Sequence, residues 1–225
     1  MKILAITDVH GKSNPNFDKY LDENDIDLVL IAGDITDFGP LDFAEEFISN
    51  IRSKNIDVIS IYGNCDPEGI SEVIESPGSF CIHNKVVSYG NVVIFGFGGS
   101  NPTPFNTPNE FEDHLIYDSL RDLYEDYDFV HGESDSLKIF LTHAPPFDTL
   151  VDTLPDGGHA GSISLRNALE EFQPDINICG HIHEARNQDK INNTLIFNPG
   201  PLEDNHGVLV EIDDKLNFDA NIINF

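Results

Sequence analysis

Apolar residues along this chain gather in short runs whose period changes from one run to the next. Lys2 to Thr7, Ile26 to Ala32 and Ile56 to Tyr62 are nearly unbroken stretches of Ile, Leu, Val and Ala, the pattern of strands buried on both faces. Between them, Phe17, Tyr20 and Leu21 follow an Asn14-Pro15-Asn16 helix start at helical spacing. Leu41 to Ile51 carries Leu41, Phe43, Ala44, Phe47, Ile48 and Ile51 on one broad stripe. The first third therefore predicts strand, helix, strand, helix, strand. That order builds a parallel α/β sheet whose functional side chains leave its carboxyl edge.

Shorter strands are predicted at Phe80 to Ile82, Lys85 to Tyr89 and Val92 to Phe95, the last two joined at Gly90-Asn91. Gly96 to Pro108 is rich in glycine and then punctuated by proline. It reads either as a flexible wall or lid over a cleft, with Gly99 a substrate contact, or as a solvent loop. Asn109 to about Tyr127 predicts an acidic helix with Ile116, Leu120, Leu123 and Tyr127 inward, leaving His114 and His131 on the surface. Strands at Leu137 to Thr142 and Asp175 to Cys179 enclose a helix from Ser162 to about Phe172. The turn before that helix, Asp156 to Ser162, has glycines that could present N–H groups to an anion. Asn187 to Phe225 alternates like antiparallel strands. No repeat or linker interrupts the chain, so residues 1–225 are expected to form one domain.

Charge and cysteine content narrow the class of partner. Forty acids against twelve bases give a formal charge of −28. Such a surface repels nucleic acid and anionic membranes and points to a small substrate. No apolar run nears the roughly twenty residues of a membrane helix, and the N-terminus turns acidic too soon for a signal peptide. Cys65, Cys81 and Cys179 are scattered and odd in number, which fits a reducing cytoplasm better than a disulfide framework or a zinc knuckle. The strand edges are compatible with a monomer or a homodimer.

The candidate chemistry sits where the strands end. Asp8-Val9-His10, Gly33-Asp34, Gly63-Asn64-Cys65-Asp66, His143 and Gly180-His181-Ile182-His183 each follow a predicted strand. Asp8 and His10, two residues apart, leave on the same side. Each piece alone is a weak signal. Several polar and ionisable groups in one cleft are costly with nothing to neutralise them, and divalent cations resolve the cost. Asp34, at the centre, is expected to bridge two ions.

Taken in order, Asp-x-His, Gly-Asp, Gly-Asn-x-Asp, a lone His before prolines and Gly-His-x-His resemble the calcineurin-like metallophosphoesterases, from Asp8 to His183. The resemblance implies a four-layer α/β/β/α sandwich, two mixed β-sheets flanked by helices as in the metallo-dependent phosphatases. It implies one metal held by Asp8, His10, Asp34 and His183, and another by Asp34, Asn64, His143 and His181. Mixed imidazole, carboxylate and amide ligands suit Mn²⁺ first, with Fe²⁺, Zn²⁺ or Ni²⁺ as alternatives. A hydroxide bridging the ions would attack phosphorus in line, with Asn64 also positioning a phosphoryl oxygen.

Many relatives carry His where this chain has Cys65, and that His is thought to protonate the leaving group. A Gly-Asn-Cys-Asp pattern marks a group of small prokaryotic relatives regarded as phosphodiesterases. Cys65 is thus either an unusual acid or inert packing. His159 is the spare candidate for the leaving-group proton or for phosphate binding, against a capping or packing role. Asp66 either buttresses a ligand from behind or caps a helix after Pro67. The expected function is metal-dependent phosphoester hydrolysis, foremost of a small phosphodiester and otherwise of a monoester. The alternative is a non-catalytic metal-binding scaffold on the same fold, and the acidic surface disfavours a nuclease.

Overall fold

The computed structural model describes residues 1–132 and 135–225. Its first sheet takes in β1 (Lys2–Ile6), β2 (Leu28–Ala32), β3 (Asp57–Ile61) and β4 (Ser79–Cys81). Helices α1 (Pro15–Glu23), α2 (Leu41–Ser53) and α3 (Ile70–Ile74) alternate with these four strands. The second sheet begins with β5 (Lys85–Tyr89) and β6 (Val92–Phe97), then α4 (Asp113–His131), β7 (Leu137–Thr142), α5 (Ile163–Phe172) and β8 (Ile176–Ile178). It ends with β9 (Asn187–Ile191) and β10 (Thr194–Asn198), after which β11 (His206–Ile212) and β12 (Phe218–Asn224) return to the first. The strand orders are β12-β11-β1-β2-β3-β4 and β5-β6-β7-β8-β10-β9.

Alternation along the strands explains the four layers. On β1, Ile3 and Ala5 face the other sheet and pack with Ile94, Ile139 and Ile178, while Leu4 and Ile6 face α1 and α2. Val93, Phe95 and Phe140 on the second sheet turn outward to α4 and α5. The expected α/β/β/α sandwich of two mixed sheets is present. β1 to β4 run parallel, as do β6, β7, β8 and β10, so both sheets have a carboxyl edge that can deliver side chains. No helix among the described residues is long and apolar enough to cross a membrane.

Local signals set the starts of α1 and α5. The Asn14 side chain accepts from the N–H groups of Asn16 and Phe17, capping α1 with Pro15 in its first turn. Ser162 caps α5 by accepting from Leu165 N. Three expectations need correction. Helix α4 starts at Asp113 rather than Asn109, because Asn109 spends its side chain on the carbonyls of Gly63 and Asp66 and Glu110 spends its own on Thr103 and Thr107. The C-terminal stretch is not purely antiparallel: β10 pairs parallel with β8, and Leu202–Asp204 forms a 3₁₀ turn between the sheets. The helix that one reading of Asp66 placed after Pro67 is the short α3, but it is entered through Gly69 in a left-handed conformation, with no side-chain cap.

Candidate metal centre

The two sheets bring their carboxyl edges together at one point. Beyond the β1–β2 ladder, the chain continues to pair into the ligand loops: Asp8 N donates to Gly33 O at 3.1 Å and His10 N to Asp34 O at 2.9 Å. From the other sheet, Gly180 N donates to His143 O at 3.0 Å, and His181 N reaches Asp8 Oδ2 at 3.0 Å. Asp8, His10, Asp34 and His181 all hold positive φ, between 49° and 70°. Side chains rarely adopt that backbone, and its clustering here is the local strain expected of a site the surrounding structure over-determines.

Two glycines are required by close approach. A Cβ on Gly63 would fall on the Asp34 carboxylate, and one on Gly180 would fall on Thr7 Oγ1 and Asp8 Oδ2. The glycine before Asn64 and the glycine before His181 are thus steric conditions for bringing the acids inside.

All seven expected metal ligands meet through a continuous set of contacts. His10 Nε2 lies 3.6 Å from Asp8 Oδ1 and 3.1 Å from His183 Nε2, and His183 Nε2 lies 3.4 Å from Asp8 Oδ1. His143 Nε2 lies 2.9 Å from Asn64 Oδ1, and the His143 and His181 rings meet edge to face at 5.1 Å. Asp34 Oδ2 faces both groups, 3.7 Å from His10 Nε2 and 3.3 Å from His143 Nε2. Its other oxygen is tied to Cys65 N at 2.8 Å.

These residues fit a cation on chemical grounds. His143 Nδ1 donates to Ala32 O at 2.8 Å, which leaves Nε2 as the ring atom that faces Asn64 Oδ1 and Asp34 Oδ2, both acceptors. Asp8 Oδ1 is buried with no hydrogen-bond partner among the described residues. Ligand atoms of Asp8, His10 and His183 lie within 4.8 Å of one another, as do those of Asp8, Asp34 and His143. Acceptors converge here with too few donors, and a divalent ion supplies what is missing.

The electrostatics agree. Burial opposes the charge on Asp8, yet His10 and His183 hold its carboxyl well below the usual range. Burial likewise works against the Asp34 carboxylate, which His143 keeps ionised. Burial alone would discharge His143, but Asp34 and Asp8 lift it to about 9. His181, buried and beside His143, is pushed down to about 4. The acids demand a positive charge strongly enough to hold a proton on a fully buried imidazole.

The remaining candidates fall behind or beside this centre. Asp66 does not cap a helix. Its carboxylate accepts from Gly63 N at 2.9 Å, Ile35 N at 3.2 Å and Thr36 N at 2.8 Å, lashing the Asp34 turn to the Asn64 turn. Burial and the nearby Asp34 raise it to about 6. Cys65 is half-buried, and burial followed by the charge of Asp34 pushes its thiol far up, which makes it a poor proton donor near neutrality.

His159 rests its Nδ1 on buried Asp152 at 2.8 Å, with Nε2 3.6 Å from Asp148, so its ring is held by acids outside the seven ligands. The glycine turn before α5 is not an open anion cradle. Gly161 N donates to Asp152, Ser162 N to Pro145 O and Ser164 N to Asp113. Gly99 is buried, and its N–H is already given to Tyr62 O at 2.8 Å. Asp152, Thr107 and Glu110 went unnoticed in the sequence because their roles rest on contacts between distant loops.

A model of the family described as calcineurin-like phosphoesterase matches residues 1–185. The chain belongs to this family. It is 39% identical over 208 residues to a Methanocaldococcus jannaschii protein, "uncharacterized protein MJ1162", covering 89% of this chain and 88% of that one. Among solved structures, TT1561 of Thermus thermophilus superposes with a TM-score of 0.73 at 14% identity, over 99% of this chain and 98% of that one. A 5′-nucleotidase from Candida albicans SC5314 gives a TM-score of 0.57 at 13% identity, over all of this chain and 51% of the other. At these identities the structural likenesses show the fold alone. The family is one of metal-dependent phosphoester hydrolysis, and divalent metal ions are its cofactors.

Proposed function

We propose that this phosphoesterase holds two divalent ions, manganese first among them, and hydrolyses a small phosphodiester. The observation that carries the reading is the position of Asp34 Oδ2, which faces imidazoles of both groups while Oδ1 is fixed by a backbone N–H. Asp8, His10, Asp34 and His183 would hold one ion, and Asp34, Asn64, His143 and His181 the other. Bound ions supply hydroxide at neutral pH and offset the charge that grows on phosphoryl oxygens. The protein's part is to orient the ligands and to keep Asp8 and Asp34 ionised. All seven side chains come from one chain, so a monomer suffices.

A diester fits the charge at the mouth better than a monoester. A monoester dianion calls for cationic side chains beyond the metals, and those near the ligands are committed. Lys12 pairs with Glu203 at 2.6 Å, and Arg186 lies 3.2 Å from His206 and 3.6 Å from Asp204. Phe38, whose N–H donates to Cys65 O, and Phe105, two residues before Thr107, are exposed on loops touching the Asn64–Cys65 turn. They suit an uncharged aromatic or apolar substituent. With Cys65 a poor acid and His159 held on Asp152, the favoured leaving group is one that departs without much protonation.

The test measures metal content together with turnover of an aryl phosphodiester and an aryl phosphomonoester, with Mn²⁺ or Ni²⁺ restored to metal-free protein. Two ions per chain with diester turnover exceeding monoester turnover is the expected result. Monoester preference would overturn the diester assignment, and two ions with turnover of neither would favour the scaffold alternative.

A further inference from the structure

An asparagine serves as a metal ligand through its carbonyl oxygen, and nothing within the amide decides whether oxygen or NH₂ faces the ion. In this protein the decision is made two contacts away. The Glu110 carboxylate accepts from Thr103 N at 3.1 Å, Thr103 Oγ1 at 2.5 Å, Thr107 N at 2.7 Å and Thr107 Oγ1 at 2.8 Å. An ionised carboxylate only accepts, so the Thr107 hydroxyl gives its single proton to Glu110. Its lone pairs are left facing Asn64 Nδ2 at 3.0 Å. Only an N–H satisfies them, which turns Oδ1 toward His143 Nε2, 2.9 Å away.

The flipped amide shows what this arrangement prevents. Its oxygen would meet the Thr107 lone pairs, and its NH₂ would turn toward His143 Nε2, where the metal-accepting oxygen belongs. Asn64 would then offer an ion N–H groups in place of a lone pair. We infer that Thr107 and Glu110 are positioning residues that lock the Asn64 amide in its metal-accepting orientation. The same segment also sets the Asn64 backbone: Asn109 N donates to Asn64 O at 3.2 Å, and Asn109 Nδ2 to Gly63 O and Asp66 O at 3.0 and 2.7 Å. The loop wall and the buried half of the metal centre are therefore one unit. The inference rests on the two-ion reading above and extends it to residues that touch neither metal nor substrate.

Calorimetric titration of Mn²⁺ into the metal-free full chain tests it, comparing wild type with Thr107→Val, Thr107→Ser and Glu110→Gln. Valine keeps the shape and removes the hydroxyl, whereas serine keeps the hydroxyl. Thr107→Val is expected to weaken one of two sites by roughly 10- to 100-fold, the usual loss when a ligand's supporting partner is removed, while the other site stays within about threefold. Thr107→Ser should restore near-native binding, and Glu110→Gln should fall between the two. Thr107→Ala repeats the measurement if the valine variant does not fold, as read by thermal unfolding of the metal-free chain. Two unchanged sites in Thr107→Val, or equal weakening of both, would overturn the relay. Fewer than two ions in the wild type would overturn the two-ion reading itself, and the relay with it.

Discussion

The two halves of the candidate metal centre are built to different standards. Asp34, Asn64 and His143 are at most 3% exposed, and each is oriented by a partner outside the ligand set: Cys65 N, Thr107 Oγ1 and Ala32 O. His10 and His183 have side chains 16% and 40% exposed and share one acid, Asp8. The buried half is preorganised and cannot adjust cheaply, whereas the open half is partly exposed and has freedom to move. The two ions should accordingly differ in affinity and in exchange.

Removing the shared carboxylate should erase the difference. Asp34→Asn is expected to abolish binding of both ions and to lower activity by on the order of a thousandfold or more, read by metal analysis and turnover. Full metal content in that variant would contradict the bridge. A smaller, asymmetric effect separates the halves. His143→Ala should weaken one ion by at least about a hundredfold and lower the unfolding midpoint of the metal-free protein, because it empties a fully buried position. His183→Ala should weaken the other ion by about tenfold and leave that midpoint near its native value. Equal losses from the two would break the comparison.

Much of the fold and of the candidate site was legible in the sequence, and the illegible part has a physical reason. Strands such as Leu28 to Ala32 are apolar on both faces and end at a glycine followed by an acid, so both the strand and the place of the candidate ligand could be read directly. Gly63 and Gly180 belong to that legible pattern, because the acids pack where a Cβ would lie. The orientation of each ligand could not be read in this way. It depends on Thr107 and Glu110 in one loop and on carbonyls such as Ala32 O, whose proximity follows only from folding. The same holds for the turn before α5. Its glycines looked ready for an anion, but Asp152 already takes the Gly161 N–H, and Asp113, 49 residues from Ser162 in the chain, takes the Ser162 hydroxyl and the Ser164 N–H.

The buried half should also have an acid-sensitive support. His83 stacks on Tyr62 at 4.6 Å, one residue before Gly63, and accepts from Gly98 N at 2.9 Å. Burial pushes it down from its ordinary 6.5 to about 4. Between those values the unfolded chain binds a proton that the folded protein excludes. Its contribution to stability is thus complete above pH 6.5 and is lost as pH falls toward 4, by up to about 1.4 kcal/mol per pH unit. Urea unfolding across this range should show the slope in wild type and a shallower one in His83→Gln. Parallel curves would exclude His83 as its source. The smallest effect is expected at Cys65→Ala, which should leave turnover of an aryl phosphodiester within about threefold of wild type. A collapse to background would make the thiol catalytic and draw the open face of the Asn64 turn into the chemistry.

The central claim is that one carboxylate joins two unequal halves into a single two-ion centre. Anomalous diffraction from crystals grown with Mn²⁺ tests it most directly. Two peaks about 3.5–4 Å apart are predicted, both at bonding distance from Asp34, with the better-occupied one beside His143 and Asn64. A single peak, or two peaks that do not share Asp34, would contradict the account.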